Sequence, residues 1–148
     1  MGLEEFTSGI SPTTKTKGMY MIKILIVEDD EEIRNVLTEI LRLEFIGVTV
    51  ESVSSAREAK RFIDDRDIDL VISDMGLSDK YLGGSDVVKH AKEVRSAFTV
   101  IFSGAFSPAV SVMGGDIRSV DFILSKPFKR EDLVNMFNVY RKYIQKAA

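Results

Sequence analysis

The chain has 148 residues, a net charge of −3 and no cysteine. That length suits one domain with its own core, and 45% hydrophobic with 29% charged residues excludes a disordered or collagen-like chain. The missing cysteine excludes a disulfide scaffold, a Cys-ligated zinc or iron–sulfur site and thiol catalysis. No apolar run approaches the roughly 20 residues that span a bilayer, so no membrane association is expected. Residues 1–20 lack the apolar stretch of a secretory signal, and a cytoplasmic location is expected.

Charge is uneven. Residues 22–125 hold 12 basic against 19 acidic side chains, and residues 126–148 hold six against two. The acidic body argues against direct nucleic-acid binding, which needs a basic face. Arg141, Lys142 and Lys146 either complement a helix dipole or form a partner surface.

Residues 1–20 are polar and aperiodic and read as a flexible leader, with residues 21–148 as one domain and no output domain attached. Ile24-Leu25-Ile26-Val27 is a strand buried on both faces, ending in Glu28-Asp29-Asp30-Glu31-Glu32. Ile33, Val36, Leu37, Ile40 and Leu41 follow at the spacing of an amphipathic helix with Asp30 as its N-cap. Val48 to Val53 is a second strand. Ser55 and Glu58 form a capping box for a helix turning Ala56, Ala59 and Ile63 inward. Ile68 to Ile72 is a third strand, leading into Ser73-Asp74. Ser85 opens a helix carrying Val87, Val88, Ala91 and Val94 inward. Phe98 to Phe102 is a fourth strand, ending at Ser103. Ser107-Pro108 starts a short helix stopped by Gly114-Gly115. Val120 to Leu124 is a fifth strand, and Leu133, Phe137, Tyr140 and Ile144 line the last helix. Five strands alternating with five helices predict a doubly wound parallel α/β sheet.

In such sheets ligands bind beyond the carboxyl ends of the strands. Glu28, Asp29, Asp74, Ser103 and Lys126 stand at those ends. Asp30, Glu31 and Glu32 are accounted for by the helix N-terminus they precede. Carboxylates crowded at one edge repel each other unless a cation lies between them. Mg²⁺ suits an all-oxygen set, and one histidine with no cysteine disfavours zinc or copper. A carboxylate beside Mg²⁺, faced by an ammonium and a hydroxyl, is laid out for phosphoryl transfer to aspartate.

The segments Ile24-Leu25-Ile26-Val27-Glu28-Asp29-Asp30, Asp69-Leu70-Val71-Ile72-Ser73-Asp74, Val100-Ile101-Phe102-Ser103-Gly104 and Lys126-Pro127-Phe128 resemble, in order, the signature blocks of the receiver domains of two-component response regulators, the CheY-like family. The resemblance covers roughly residues 22–145. It implies a flavodoxin-like sheet of order 2-1-3-4-5. It further implies Asp74 as phosphoacceptor, with Mg²⁺ held by Asp29, Asp74, the Gly76 carbonyl and, through water, Glu28. Ser103 and Lys126 would contact the phosphoryl group, and Lys126–Pro127 would be a cis peptide. The family's proline four residues past the acceptor is Ser78 here. Its switch aromatic three residues before the lysine is Ile123, with Phe122 one place earlier, so the switch falls to Ser103, Ile123 and Phe122. Asp79 to Gly84 reads as a loop beside the site.

The implied partners are a sensor histidine kinase or histidine phosphotransfer protein and a downstream protein, with the chain a monomer or a weak phosphorylation-dependent dimer. Its only chemistry would be self-phosphorylation and autodephosphorylation, not turnover as an enzyme. A non-phosphorylated pseudo-receiver is the alternative. A haloacid-dehalogenase-type hydrolase needs an Asp-x-Asp pattern after the first strand, which residues 28–32 do not supply. Gly83-Gly84-Ser85 lacks the lysine of a P-loop. His90 reads as a surface residue.

Overall fold

A computed structural model describes residues 21–77, 83–104 and 120–147. Five parallel strands run β2-β1-β3-β4-β5 across one sheet. They are β1 (Ile22–Val27), β2 (Val48–Val53), β3 (Leu70–Asp74), β4 (Phe98–Ser103) and β5 (Phe122–Ser125). Four described helices connect and follow them: α1 (Glu31–Glu44), α2 (Ala56–Asp65), α3 (Gly84–Arg95) and α4 (Arg130–Ala147). The helix expected from Ser107 to Gly115, and the loop positions Ser78 to Leu82, lie outside the described residues. No helix among the described residues is long and apolar enough to cross a membrane.

The unbroken apolar run of β1 is explained by its central place, because alternate side chains enter opposite layers. Ile22, Ile24 and Ile26 join Leu37, Leu41 and Phe45 from the α1 side and Leu133, Phe137 and Tyr140 of α4. Leu25 and Val27 meet Ala56, Ala59 and Ile63 of α2 and Val87, Val88 and Ala91 of α3 on the other face. Phe45 packs on Phe137 at 4.7 Å, and Phe98 stands edge-on to Tyr140 at 5.5 Å between ring centroids. In β2, at the sheet edge, only Val50 is fully buried.

Two side chains expected inward face out. Val36 is 52% exposed, because Leu37 and Leu41 carry the buried line of α1 and Val36 falls on its flank. Val94 is exposed as well. One turn beyond Ala91 the inward line of α3 reaches Arg95, whose guanidinium donates to the carbonyls of Ile63 at 2.8 Å and Asp64 at 2.9 Å. His90 is less solvent-facing than its sequence suggests: Nε2 lies 2.7 Å from Asp64 Oδ1 and ties α3 to α2.

Strand limits differ from the apolar runs where polar side chains intervene. Asp69 Oδ2 accepts from the Lys23 amide at 2.9 Å, and Asp121 Oδ2 accepts from the Thr99 amide at 2.9 Å. β3 and β5 therefore begin after those residues. The N-caps follow expectation at α1 and α2. Asp30 accepts from the Ile33 amide, and Ser55 Oγ from the Glu58 amide at 3.1 Å. The return arm of the α2 box is shifted by one: Glu58 Oε1 accepts from the amide and hydroxyl of Ser54. Those bonds hold the Glu58 carboxyl below the usual range. Ser55→Ala is expected to cost about 1 kcal/mol, seen as a lower urea midpoint with unchanged slope.

Candidate functional site

The parallel sheet delivers its polar residues to one edge because every strand ends there. β1 runs into Glu28 and Asp29, β3 ends on Asp74, β4 on Ser103, and β5 leads into Lys126. Pairing sets their depth, with Asp74 opposite Phe102 and Ser103 opposite Ser125. Carboxylate oxygens of Glu28, Asp29 and Asp74 lie within 4.8 Å of one another. The Lys126 ammonium stands 2.9 Å from Glu28 Oε1 and 3.2 Å from Asp74 Oδ1. Its Nζ also lies 4.6 Å from the centre of the Phe102 ring.

Backbone groups fix two of the carboxylates. The Gly76 amide donates to Asp74 Oδ1 at 3.2 Å, and the Asp30 amide to Glu28 Oε2 at 3.1 Å. The carbonyl of Glu28 accepts from Arg34 Nη1 at 2.8 Å, so α1 pins the acidic turn. Arg34 has no signature in the sequence beyond its place one turn into a helix. The Lys126 amide donates to the Ser103 carbonyl at 2.8 Å, and Lys126–Pro127 is cis. Ser103 is buried. Farther back, at the start of β5, Phe122 packs into the α1–α4 layer while Ile123 is 49% exposed.

Glu28 is only 1% exposed. Burial raises its pKa, and the Asp74 charge adds to the rise, against the lowering effect of Lys126 and the Asp30 amide. Burial alone would lower the Lys126 pKa, but Glu28 and Asp74 outweigh it and hold the ammonium above its ordinary value. The 2.9 Å approach of the ammonium to Glu28 Oε1 is an ion pair on a fully buried oxygen. Three carboxylates thus stand together, two of them on the Lys126 ammonium, and their donor atoms are all oxygen. A hard divalent cation fits that set.

A groove of about 520 Å³, almost wholly apolar, opens beside Lys126. Ile33, Val36 and Ile40 of α1 form one wall, and Phe102, Pro127 and Phe128 the other. Val36, out of place in the core reading, belongs to this groove. Among the acids after β1 the enclosed one is a glutamate, Glu28, whereas the enclosed aspartate, Asp74, stands after β3, which runs against the hydrolase alternative and its aspartate after the first strand.

The sequence profile described as "Response regulator receiver domain" matches residues 24–138. The chain is 29% identical over 113 residues to the DNA-binding transcriptional regulator NtrC of Azospirillum brasilense, covering 76% of this chain and 23% of NtrC. It is 31% identical over 114 residues to the transcriptional regulatory protein CpxR of Escherichia coli K12, covering 77% of this chain and 47% of CpxR. The chain therefore spans about a quarter to a half of the length of these relatives. Among solved structures, a CheY-like receiver domain protein from Methanospirillum hungatei JF-1 superposes with a TM-score of 0.74 at 25% identity, covering 86% of this chain and 99% of that one. With the strand order, the matched profile and the acidic edge in agreement, the chain belongs to the response regulator receiver domain family of two-component systems.

Proposed function

We propose that Asp74 accepts a phosphoryl group from a phosphohistidine of a sensor kinase or phosphotransfer protein, and that its phosphorylation changes the binding of a downstream protein. The observation that carries this reading is the Asp74 carboxylate, buried at a strand end with Oδ1 held by Lys126 and the Gly76 amide. In the transfer the P–N bond to imidazole breaks, its electron pair stays on nitrogen, and a P–O bond to the carboxylate forms. Glu28, Asp29, Asp74 and the Gly76 carbonyl would hold Mg²⁺, which supplies positive charge between the acceptor and the incoming phosphoryl oxygens. Lys126, just beyond β5, neutralises the same oxygens, and the Ser103 hydroxyl donates to one of them. Ser103 then links the phosphoryl group to β4, with Phe122 and Ile123 on the adjoining strand as the responsive side chains. Incubation with a small-molecule phosphoryl donor and Mg²⁺ is expected to give one acyl phosphate, cleaved by hydroxylamine.

The apolar groove beside Lys126 suits the approach of a protein donor, since an apolar anchor there brings the partner within reach of Asp74. Val36→Asp is expected to slow transfer from a histidine-phosphorylated protein about tenfold, as a loss of ~1.4 kcal/mol in docking gives. Transfer from a small-molecule donor should be unchanged. Equal slowing with both donors would place the effect in the site rather than in docking.

A further inference from the structure

Gly83-Gly84 stands at the start of α3, and the two glycines differ. A Cβ on Gly83 would meet nothing within 4 Å. A Cβ on Gly84 would lie 2.2 Å from the Asp74 carbonyl oxygen, 3.0 Å from Met75 Cα and 3.1 Å from the Asp74 carbonyl carbon. All three atoms are backbone, so no side chain can swing aside. The helix cannot easily retreat either, because Val87, Val88 and Ala91 are wholly buried in the layer it shares with α2. On its other side the same stretch of backbone is tied to β4, the Met75 amide donating to the Phe102 carbonyl at 3.1 Å.

We propose that Gly84 is a positioning residue: its bare Cα lets the first turn of α3 press against the Asp74–Met75 peptide and set the acceptor's distance from Lys126 and the acidic turn. This rests on Asp74 being the phosphoacceptor. A methyl group at position 84 displaces that peptide by about 1 Å, since non-bonded carbon contacts settle well beyond 3 Å. A shift of that size at a reacting group costs roughly ten- to a hundredfold in rate.

The test compares Gly84→Ala with Gly83→Ala, which adds the same methyl in open space. Two readouts are used: the rate of phosphorylation by a small-molecule donor at saturating Mg²⁺, and the amide NMR positions of Met75 and Gly76 without donor. Gly84→Ala is expected to slow phosphorylation at least tenfold per folded molecule and to move both amides, while Gly83→Ala does neither. A purely structural role would lower the unfolding midpoint but leave the rate of the folded fraction and the two amides unchanged, which overturns the proposal. If Gly84→Ala does not fold, Asp86→Ala carries the test. Asp86 Oδ2 accepts from the Gly83 amide at 2.8 Å and steadies this first turn from an exposed position. Its loss should slow phosphorylation several-fold, and an unchanged rate overturns the proposal. Should the wild type take up no phosphoryl group, the reading of Asp74 fails, while the amide positions still report whether Gly84 sets its peptide.

Discussion

Replacing Lys126 with methionine is expected to lower the stability of the cation-free protein by about 3 kcal/mol at neutral pH, the lower end of what breaking a buried ion pair costs. The ammonium lost is the one 2.9 Å from Glu28 and 3.2 Å from Asp74. Methionine retains an apolar stem and a favourable contact with the Phe102 ring, so the change removes charge more than packing. The cost stays at the lower end because Glu28 can take up a proton. Burial already raises its pKa above the ordinary 4.5, and losing Lys126 raises it further. A carboxyl raised in the folded state contributes stability that is complete below its unfolded pKa and lost as pH rises through its folded one. The deficit of the variant should thus be small below 4.5 and grow above it. In the wild type, Lys126 is itself raised, so its contribution is complete below its ordinary 10.5 and lost only above it. Urea unfolding in EDTA across this range checks the prediction. A deficit that does not vary with pH would trace the effect to packing.

Asp29→Asn is expected to weaken Mg²⁺ binding at least tenfold, and Glu28→Gln only a few-fold. The difference follows from what each carboxylate already does. Glu28 is deeply buried, with Oε2 on the Asp30 amide and Oε1 against Lys126. Asp29 reaches solvent with its oxygens still within 4.8 Å of the other two carboxylates. Direct ligation by Asp29 and a more remote role for Glu28 fit those surroundings. Saturating the wild type at a hundred times its dissociation constant should add about 2.7 kcal/mol to its stability, and the Asn variant should gain far less at the same concentration. Calorimetric titration measures the affinities without a tryptophan signal, which the chain lacks. Equal losses in the two variants would contradict the division of roles.

The parts of this site visible in the sequence are those that strand ends place. Once Ile24 to Val27 and Leu70 to Ile72 are read as neighbouring buried strands, Glu28, Asp29 and Asp74 have to meet at one edge, as do Ser103 and Lys126. Features that depend on how a helix is rotated or how closely it approaches were not visible there. Val36 shares the spacing of Leu37 and Leu41, yet lies on the flank and lines the groove. Arg34 reaches the Glu28 carbonyl only because α1 leaves the acidic turn at one particular angle. Gly84 resembles a loop glycine until the packing of α3 puts it against Asp74. Strand starts differ from the apolar runs for a related reason: Asp69 and Asp121 spend their carboxylates on a neighbour's backbone, which no apolar pattern records.

Phosphoryl transfer as proposed needs both the Asp74 carboxylate and a divalent cation. Intact-mass spectrometry after incubation with acetyl phosphate tests both at once. The wild type with Mg²⁺ is expected to gain a single adduct of about 80 Da, one transferred phosphoryl group. No adduct should form in EDTA, and none on Asp74→Asn in Mg²⁺. An adduct of the same mass on the Asn variant, or one that forms equally in EDTA, would contradict the account.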